Sequence, residues 1–336
     1  MQRWAGISLD GGEDMTTLSA NHSIKTAFTL RGVEFKNRVF VASGTFGYGN
    51  EIRDLVDVNR LGGIFTKSLS WKPRSGNPPQ RLVETASGML NSIGLANIGV
   101  QTFIEEKLPY LRTLDTRVLV NIAASSLEEF CDVLCLLEEH DGIAGYEINV
   151  SCPNVKEGGM NFGTDCTMTA EITSQLRART NKPLIIKLTP NVTHISEIAR
   201  AAESAGADAL SVMNTLIGMA VDVNTRKPIL STVTGGLSGP AIKPVALAKV
   251  YEVAKAVKIP IFGIGGIAST MDAIEFLLVG ATAVQVGTMN FIDPAISVTI
   301  TDGMENYARE NNISDIGTLV GALDADIKFS VLQSWL

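Results

Sequence analysis

The sequence predicts an α/β protein: a closed (β/α)8 TIM barrel with an N-terminal β-hairpin. Three observations predict it. Eight short apolar strands, counted from Val39, alternate with helical patterns along the chain. The strands are short and mainly apolar, as parallel strands covered by helices are. No linker or shift in composition divides the eight units, which favours one closed barrel over an open sheet.

The elements follow in order. Phe28-Thr29-Leu30 and Val33-Glu34-Phe35 flank the two-residue turn Arg31-Gly32, a hairpin expected to cap the bottom of the barrel. The first barrel strand, 39–42, runs into a glycine-rich turn, 43–49, and a short helical pattern over 51–59. The second, 63–66, ends at Lys67-Ser68 and is followed by a long loop carrying Asn91-Ser92-Ile93-Gly94-Leu95, then a helix over 100–111. The third, 118–120, ends at Asn121, with a helix over 127–139. The fourth, 145–148, ends at Asn149, with a helix over 168–179 after its loop. The fifth, 184–186, ends at Lys187, with a helix over 195–204. The sixth, 209–213, ends at Asn214-Thr215. It precedes an irregular stretch, 218–240, long enough to suggest a functional insertion, and a helix over 243–256. The seventh, 259–264, ends at Gly265-Gly266, with a helix over 271–278. The eighth, 283–286, ends at Gly287-Thr288, and a helix over 295–309 follows.

Residues 1–21 are polar and lack the apolar centre of a signal peptide. They read as a disordered extension ahead of a single domain over 22–336. Apolar residues make up 45% of the 336 and charged residues 19%, ample for a core. A net charge of −7, with no basic cluster interleaved with aromatics, argues against a nucleic-acid surface. No run approaches the ~20 apolar residues of a membrane span. The four cysteines, Cys131, Cys135, Cys152 and Cys166, show no C-x-x-C spacing. No metal or iron–sulfur site is therefore expected in this chain, and a reducing cytoplasm is the expected location.

In a barrel of this kind the active site lies at the C-terminal ends of the strands. The polar residues gathered there are Lys67, Asn91, Asn121, Asn149, Cys152, Lys187, Asn214 and Thr215. Any one of them could be an ordinary strand-end turn residue. Together they describe a hydrogen-bonding pocket with two cations and no carboxylate, suited to an anionic, planar, amide-bearing ligand. Cys152 sits in Asn149-Val150-Ser151-Cys152-Pro153-Asn154, just past a strand and before a glycine-rich loop, 155–163, of the sort that closes over ligands. It is a candidate nucleophile or proton acceptor; the alternative is a small buried hydrophobe. Glycines ending the last two strands let backbone N–H groups face a phosphate, against the alternative of close packing in tight turns.

Taken together, these motifs resemble the class 1 dihydroorotate dehydrogenases, from about Phe28 onward. The residues that carry the likeness are Ala42-Ser43-Gly44, Thr66-Lys67-Ser68, Asn91 to Leu95, Asn149 to Asn154, Lys187-Leu188-Thr189-Pro190-Asn191 and Gly235-Gly236-Leu237-Ser238-Gly239. The run from Asn214 to Ala220 is most like subclass 1B. Ala124 and Ile98 depart from the pattern, standing where glycine and proline are usual. The resemblance implies one FMN per chain, held by Ser43, Lys67, Ser68, Asn121, Asn149, Lys187, Met213, Gly239, Gly265, Gly266, Gly287 and Thr288. It implies that Lys67, Asn91, Ser92, Ile93, Gly94, Leu95, Asn149, Asn214 and Thr215 hold dihydroorotate, with Cys152 as the base. It also implies a homodimer core, assembled into a heterotetramer with a second subunit carrying FAD and a [2Fe-2S] cluster.

Oxidising dihydroorotate to orotate removes a proton from C5 and a hydride from C6. No side chain accepts hydride, whereas FMN does. Of the three histidines, His22, His140 and His194, none stands at a clear strand end, which leaves Cys152 as the best candidate base. The competing expectations are a fumarate-dependent subclass 1A enzyme, a flavin barrel acting on another dihydropyrimidine such as dihydrouracil, and a non-redox phosphate-binding barrel with a Schiff-base lysine such as Lys187. A non-catalytic nucleotide-binding barrel is the fourth.

Overall fold

The computed structural model describes residues 23–150 and 162–325. The expected extension 1–21, Cys152 and most of the glycine-rich loop after it lie outside the described residues.

Eight parallel strands close a barrel in sequence order: Val39–Val41, Gly63–Phe65, Arg117–Ile122, Gly145–Asn149, Leu184–Lys187, Ala209–Val212, Ile261–Ile264 and Ala283–Val286. The eighth strand pairs with the first through Gln285 opposite Phe40, so no sheet edge is left open. Strand residues alternate between two environments, as the period of two requires. Val118, Val120, Ile122, Ile186, Leu210, Val212, Val284 and Val286 belong to the outer core that the helices cover. Phe40, Phe65, Leu119, Ile185, Ala209, Phe262 and Ala283 form a separate inner cluster at the bottom of the barrel.

The hairpin, Phe28–Leu30 paired with Val33–Phe35, supplies Phe28, Leu30, Val33 and Phe35 to that inner cluster and seals it. Phe28 stacks on Phe35 at 5.0 Å between ring centroids, and Phe40 meets Phe262 edge to face at 5.1 Å. Such pairs contribute ~0.5–1.5 kcal/mol each beyond their area burial. Gly63 makes room for this packing, since a Cβ there would stand 2.5 Å from a Phe40 ring carbon. The bottom of the barrel is therefore apolar, and any chemistry is confined to the other end.

Two stretches depart from the expected pattern. The helix expected over 51–59 is two short 3-10 turns, Asn50–Ile52 and Val58–Arg60. Asp57 accepts from the Asn59 backbone N–H, drawing the chain into a local turn in place of a continuous helix. The helix over 100–111 exists but contains a π turn, Phe103–Lys107, next to Pro109, whose missing N–H interrupts the regular ladder.

The largest addition is a second sheet. The loop after the second barrel strand and the stretch after the sixth pair with one another as four antiparallel strands. In spatial order these are Leu216–Met219, Thr234–Ser238, Gly88–Asn91 and Leu82–Thr85. This sheet carries Asn91 and joins it to the glycine-rich 235–239 motif: the Asn91 amide donates to the Gly236 carbonyl at 3.2 Å.

Candidate active site

The strand-end residues are positioned by the barrel register. Asn149 lies opposite Lys187 on neighbouring strands, and Lys187 opposite Ser211. The amide of Asn214 approaches Asn149 Oδ1 at 3.5 Å, so these two expected substrate ligands meet. Asn214 Oδ1 accepts from the Thr215 N–H at 2.8 Å, and Asn191 donates to the Thr215 carbonyl at 3.0 Å, which fixes the turn after the sixth strand. Met213 is buried, its N–H bonded to the Ile264 carbonyl of the seventh strand.

The Asn91-to-Leu95 segment is clamped from below. Asn77 donates from its backbone to the Ile93 carbonyl and from its side chain to the Ser92 carbonyl, both at 3.0 Å. Gly94 has φ +73°, and a Cβ there would strike Asn77 at 2.6 Å, so this position has to be glycine. Ser92 is buried with its hydroxyl unpartnered among the described residues.

Lys67 follows the second strand, and Ser68 beside it is buried. Burial, and then the like charge of Arg81, hold the Lys67 ammonium below the usual lysine range. Arg81 was not legible as a site residue, because it sits in the long loop ahead of Leu82–Thr85 and at no barrel-strand end.

The pocket also contains a carboxylate, contrary to the expectation of cations alone. Glu147 stands two residues before Asn149 on the same strand, hence on the same face. It is fully buried and lies 3.6 Å from the ammonium of Lys187. Asn121 Nδ2 and Ser211 Oγ each donate to it at 2.5 Å, and Gln285 Nε2 donates at 2.9 Å. Asn121, Ser211 and Gln285 are fully buried as well. A polar layer thus rests directly on the apolar floor: Leu119, Ile185, Ala209 and Ala283 are followed two residues later by Asn121, Lys187, Ser211 and Gln285. The signal was present in the sequence as polar residues interrupting apolar strands at the period of two.

The expected phosphate end gathers at one side of the mouth. Thr288 Oγ1 donates to Ser238 Oγ at 2.8 Å, and a Cβ at Gly239 would come within 3.5 Å of Thr288. Gly266, with φ +76°, backs onto the start of helix Lys243–Ala254; a Cβ there would sit 2.7 Å from the Lys243 nitrogen. Gly265 is likewise pressed against Ala246. Packing alone explains both of these glycines. Gly287 differs: a Cβ there would make only ordinary contacts, at 3.6 Å to Ala42 and 3.8 Å to Thr45. Among the described residues, the atoms around Gly287 leave room for a Cβ, as a cradle for a ligand does.

These residues fit FMN. The buried Oδ1 of Asn121 and Oε1 of Gln285 accept no hydrogen bond among the described residues, Gly287 offers the cradle, and Lys67 and Lys187 supply cations. Ser43 lies half-buried in the turn after the first strand, on the same rim.

The family model for dihydroorotate dehydrogenase matches residues 25–307. A protein of Geotalea uraniireducens (strain Rf4), named dihydroorotate dehydrogenase B (NAD(+)), catalytic subunit, is 56% identical over 294 residues, 88% of this chain and 96% of its own. A protein of the same name from Geobacter sp. (strain M21) is 53% identical over 295 residues, 88% of this chain and 97% of its own. Among solved structures, the DHODH of Eimeria tenella in complex with ferulenol shares the fold at a TM-score of 0.73 and 20% identity, covering 90% of this chain and 89% of that one. The chain belongs to the dihydroorotate dehydrogenase family, in its class 1B branch.

Proposed function

We propose that this chain is the catalytic subunit that oxidises dihydroorotate to orotate in pyrimidine biosynthesis, using FMN and passing electrons to NAD through a partner subunit. The observation that carries the reading is the barrel mouth itself. There the half-buried Lys67 and the amide pair Asn149–Asn214 sit at strand ends above the buried Glu147–Lys187 pair. A carboxylate-bearing cyclic amide matches that set of donors and acceptors.

FMN, when bound, takes up the two electrons and the hydrogen that leave C6. The chain's own residues do the rest. Lys67 attracts the substrate's negative charge, and the amides of Asn91, Asn149 and Asn214, with Thr215, orient its ring. Ser92, Ile93, Gly94 and Leu95 present a clamped backbone to it. Cys152 takes the C5 proton as general base. Ser43, Ser68, Asn121, Lys187, Met213 and the glycine rim of Gly239, Gly265, Gly266, Gly287 and Thr288 hold the cofactor.

Lys67 makes the binding step sensitive to pH. Its lowered pKa means that it loses its proton at a lower pH than a free lysine does. The affinity for orotate should therefore fall on the alkaline side, beginning below the ordinary lysine range near 10.4. An equilibrium titration from neutral to alkaline pH checks this. Lys67→Arg, which stays charged, should flatten the profile; an unaltered alkaline limb in that variant would assign the titration to another group.

The partner is read as an FAD and [2Fe-2S] subunit, joined to a homodimer of this chain as a heterotetramer in the cytoplasm. This chain has no cysteine set with cluster spacing and no GxGxxG fingerprint after a strand. Among the described residues, no helix is long and apolar enough to cross a membrane. The purified chain should be yellow, oxidise dihydroorotate with artificial dyes, and fail to reduce NAD until the partner is added. Efficient NAD reduction by the chain alone would overturn the partner assignment, and efficient fumarate reduction would move the chain to subclass 1A.

A further inference from the structure

Glu147 has no part in the substrate contacts proposed above, yet four polar side chains converge on it. It receives hydrogen bonds from Asn121, Ser211 and Gln285 and faces Lys187, side chains from four other barrel strands. Its carboxylate lies above an apolar floor and is closed off from solvent. An ionised carboxylate can only accept hydrogen bonds. Both amides beside it are therefore compelled to turn their NH2 groups inward. Their carbonyl oxygens then face the other way, and both are buried acceptors without a donor among the described residues. An unpaired buried acceptor is costly unless a ligand completes it.

We propose that Glu147 is a positioning residue for the cofactor: it anchors the Lys187 ammonium at the base of the flavin site and turns the Asn121 carbonyl oxygen outward as an acceptor for a flavin N–H. The proposal rests on the FMN reading above. It differs from a purely structural role in one respect. A buried carboxylate paired with a lysine sets the net charge felt by the cofactor, so removing either partner changes the ease of reduction, in opposite directions. Loss of the anion leaves the cation to favour the electron-rich reduced cofactor. Loss of the cation does the reverse. Glutamine in place of Glu147 could also donate, so the orientation of Asn121 would no longer be fixed.

The test is a midpoint-potential measurement on FMN-loaded protein, with FMN affinity as a second readout. Glu147→Gln should shift the potential to more positive values and weaken FMN binding by about tenfold, the worth of one misoriented hydrogen bond. Lys187→Gln should shift the potential to more negative values, and the double variant should fall between the two. If Glu147→Gln does not fold, the double variant is compared with Lys187→Gln and should lie more positive; equal potentials there would overturn the proposal. So would unchanged potential and affinity in Glu147→Gln, or shifts of the same sign in both single variants. A wild-type chain that takes up no FMN would overturn the functional reading itself, an outcome distinct from a flavin-loaded protein indifferent to Glu147.

Discussion

Cys152→Ala should yield a folded, yellow protein that turns over dihydroorotate ~10²–10⁴-fold more slowly, the usual loss when a general base is removed. The C5 proton needs an acceptor in the mouth of the barrel, and the described alternatives are poorly placed. His194 is exposed at the N-cap of helix Ile195–Ser204, and His140 lies just past the end of helix Leu127–Glu138. Glu147 is committed to three hydrogen bonds and a lysine beneath the site. A thiol with an unperturbed pKa of ~8.5 is mostly protonated at neutral pH, so kcat should rise toward alkaline pH. Cys152→Ser should keep a little activity, with its optimum displaced to higher pH. Stopped-flow reduction of the bound flavin by dihydroorotate reads the step directly. A near-normal rate in Cys152→Ala would remove the cysteine from the mechanism.

The alkaline limbs of turnover and of binding have opposite signs here and can be separated. Turnover should rise as the Cys152 thiol ionises, whereas orotate affinity should fall as Lys67 loses its proton ahead of a free lysine. A rate profile at saturating substrate isolates the first, and equilibrium binding isolates the second.

The barrel was legible because its strands are short, apolar and regularly spaced, and because Phe28, Leu30, Val33 and Phe35 alternate cleanly on either side of a two-residue turn. The expected strand-end residues Asn149, Lys187 and Asn214 do stand together at the mouth. Glu147 was hidden inside a run read as a buried strand, where hydropathy predicts burial but says nothing of the partners that burial demands. Ser211 and Gln285 were hidden in the same way. The sheet over the mouth was illegible for another reason. Thr234–Ser238 is rich in glycine and weak in strand propensity, and it forms only by pairing with Gly88–Asn91, far away in the chain. Arg81 became visible only once that outgrowth was folded back toward Lys67.

Gly287→Val should purify folded and nearly colourless, with FMN affinity reduced on the order of 10²-fold, the worth of one or two charge-assisted hydrogen bonds. The choice of position follows from the geometry of the three strand-end glycines. A side chain at Gly265 would strike Ala246, and one at Gly266 would meet the Lys243 backbone while forcing a non-glycine residue to φ +76°. Gly266→Val therefore disturbs the fold whether or not phosphate binds there, and colour loss in that variant does not isolate the ligand. At Gly287, with φ −112° and ψ −101°, the nearest described protein atoms leave ordinary room for a Cβ. What a side chain there should displace is the bound anion beside the N-terminal turn Thr288–Phe291. Gly287→Ala should give a milder loss in the same direction, and thermal unfolding of both variants without FMN, set against the FMN-free wild type, separates a cost to the fold from loss of the ligand. Stoichiometric flavin in Gly287→Val would show that the glycines at the ends of the last two strands serve packing alone, and would move the phosphate elsewhere on the rim.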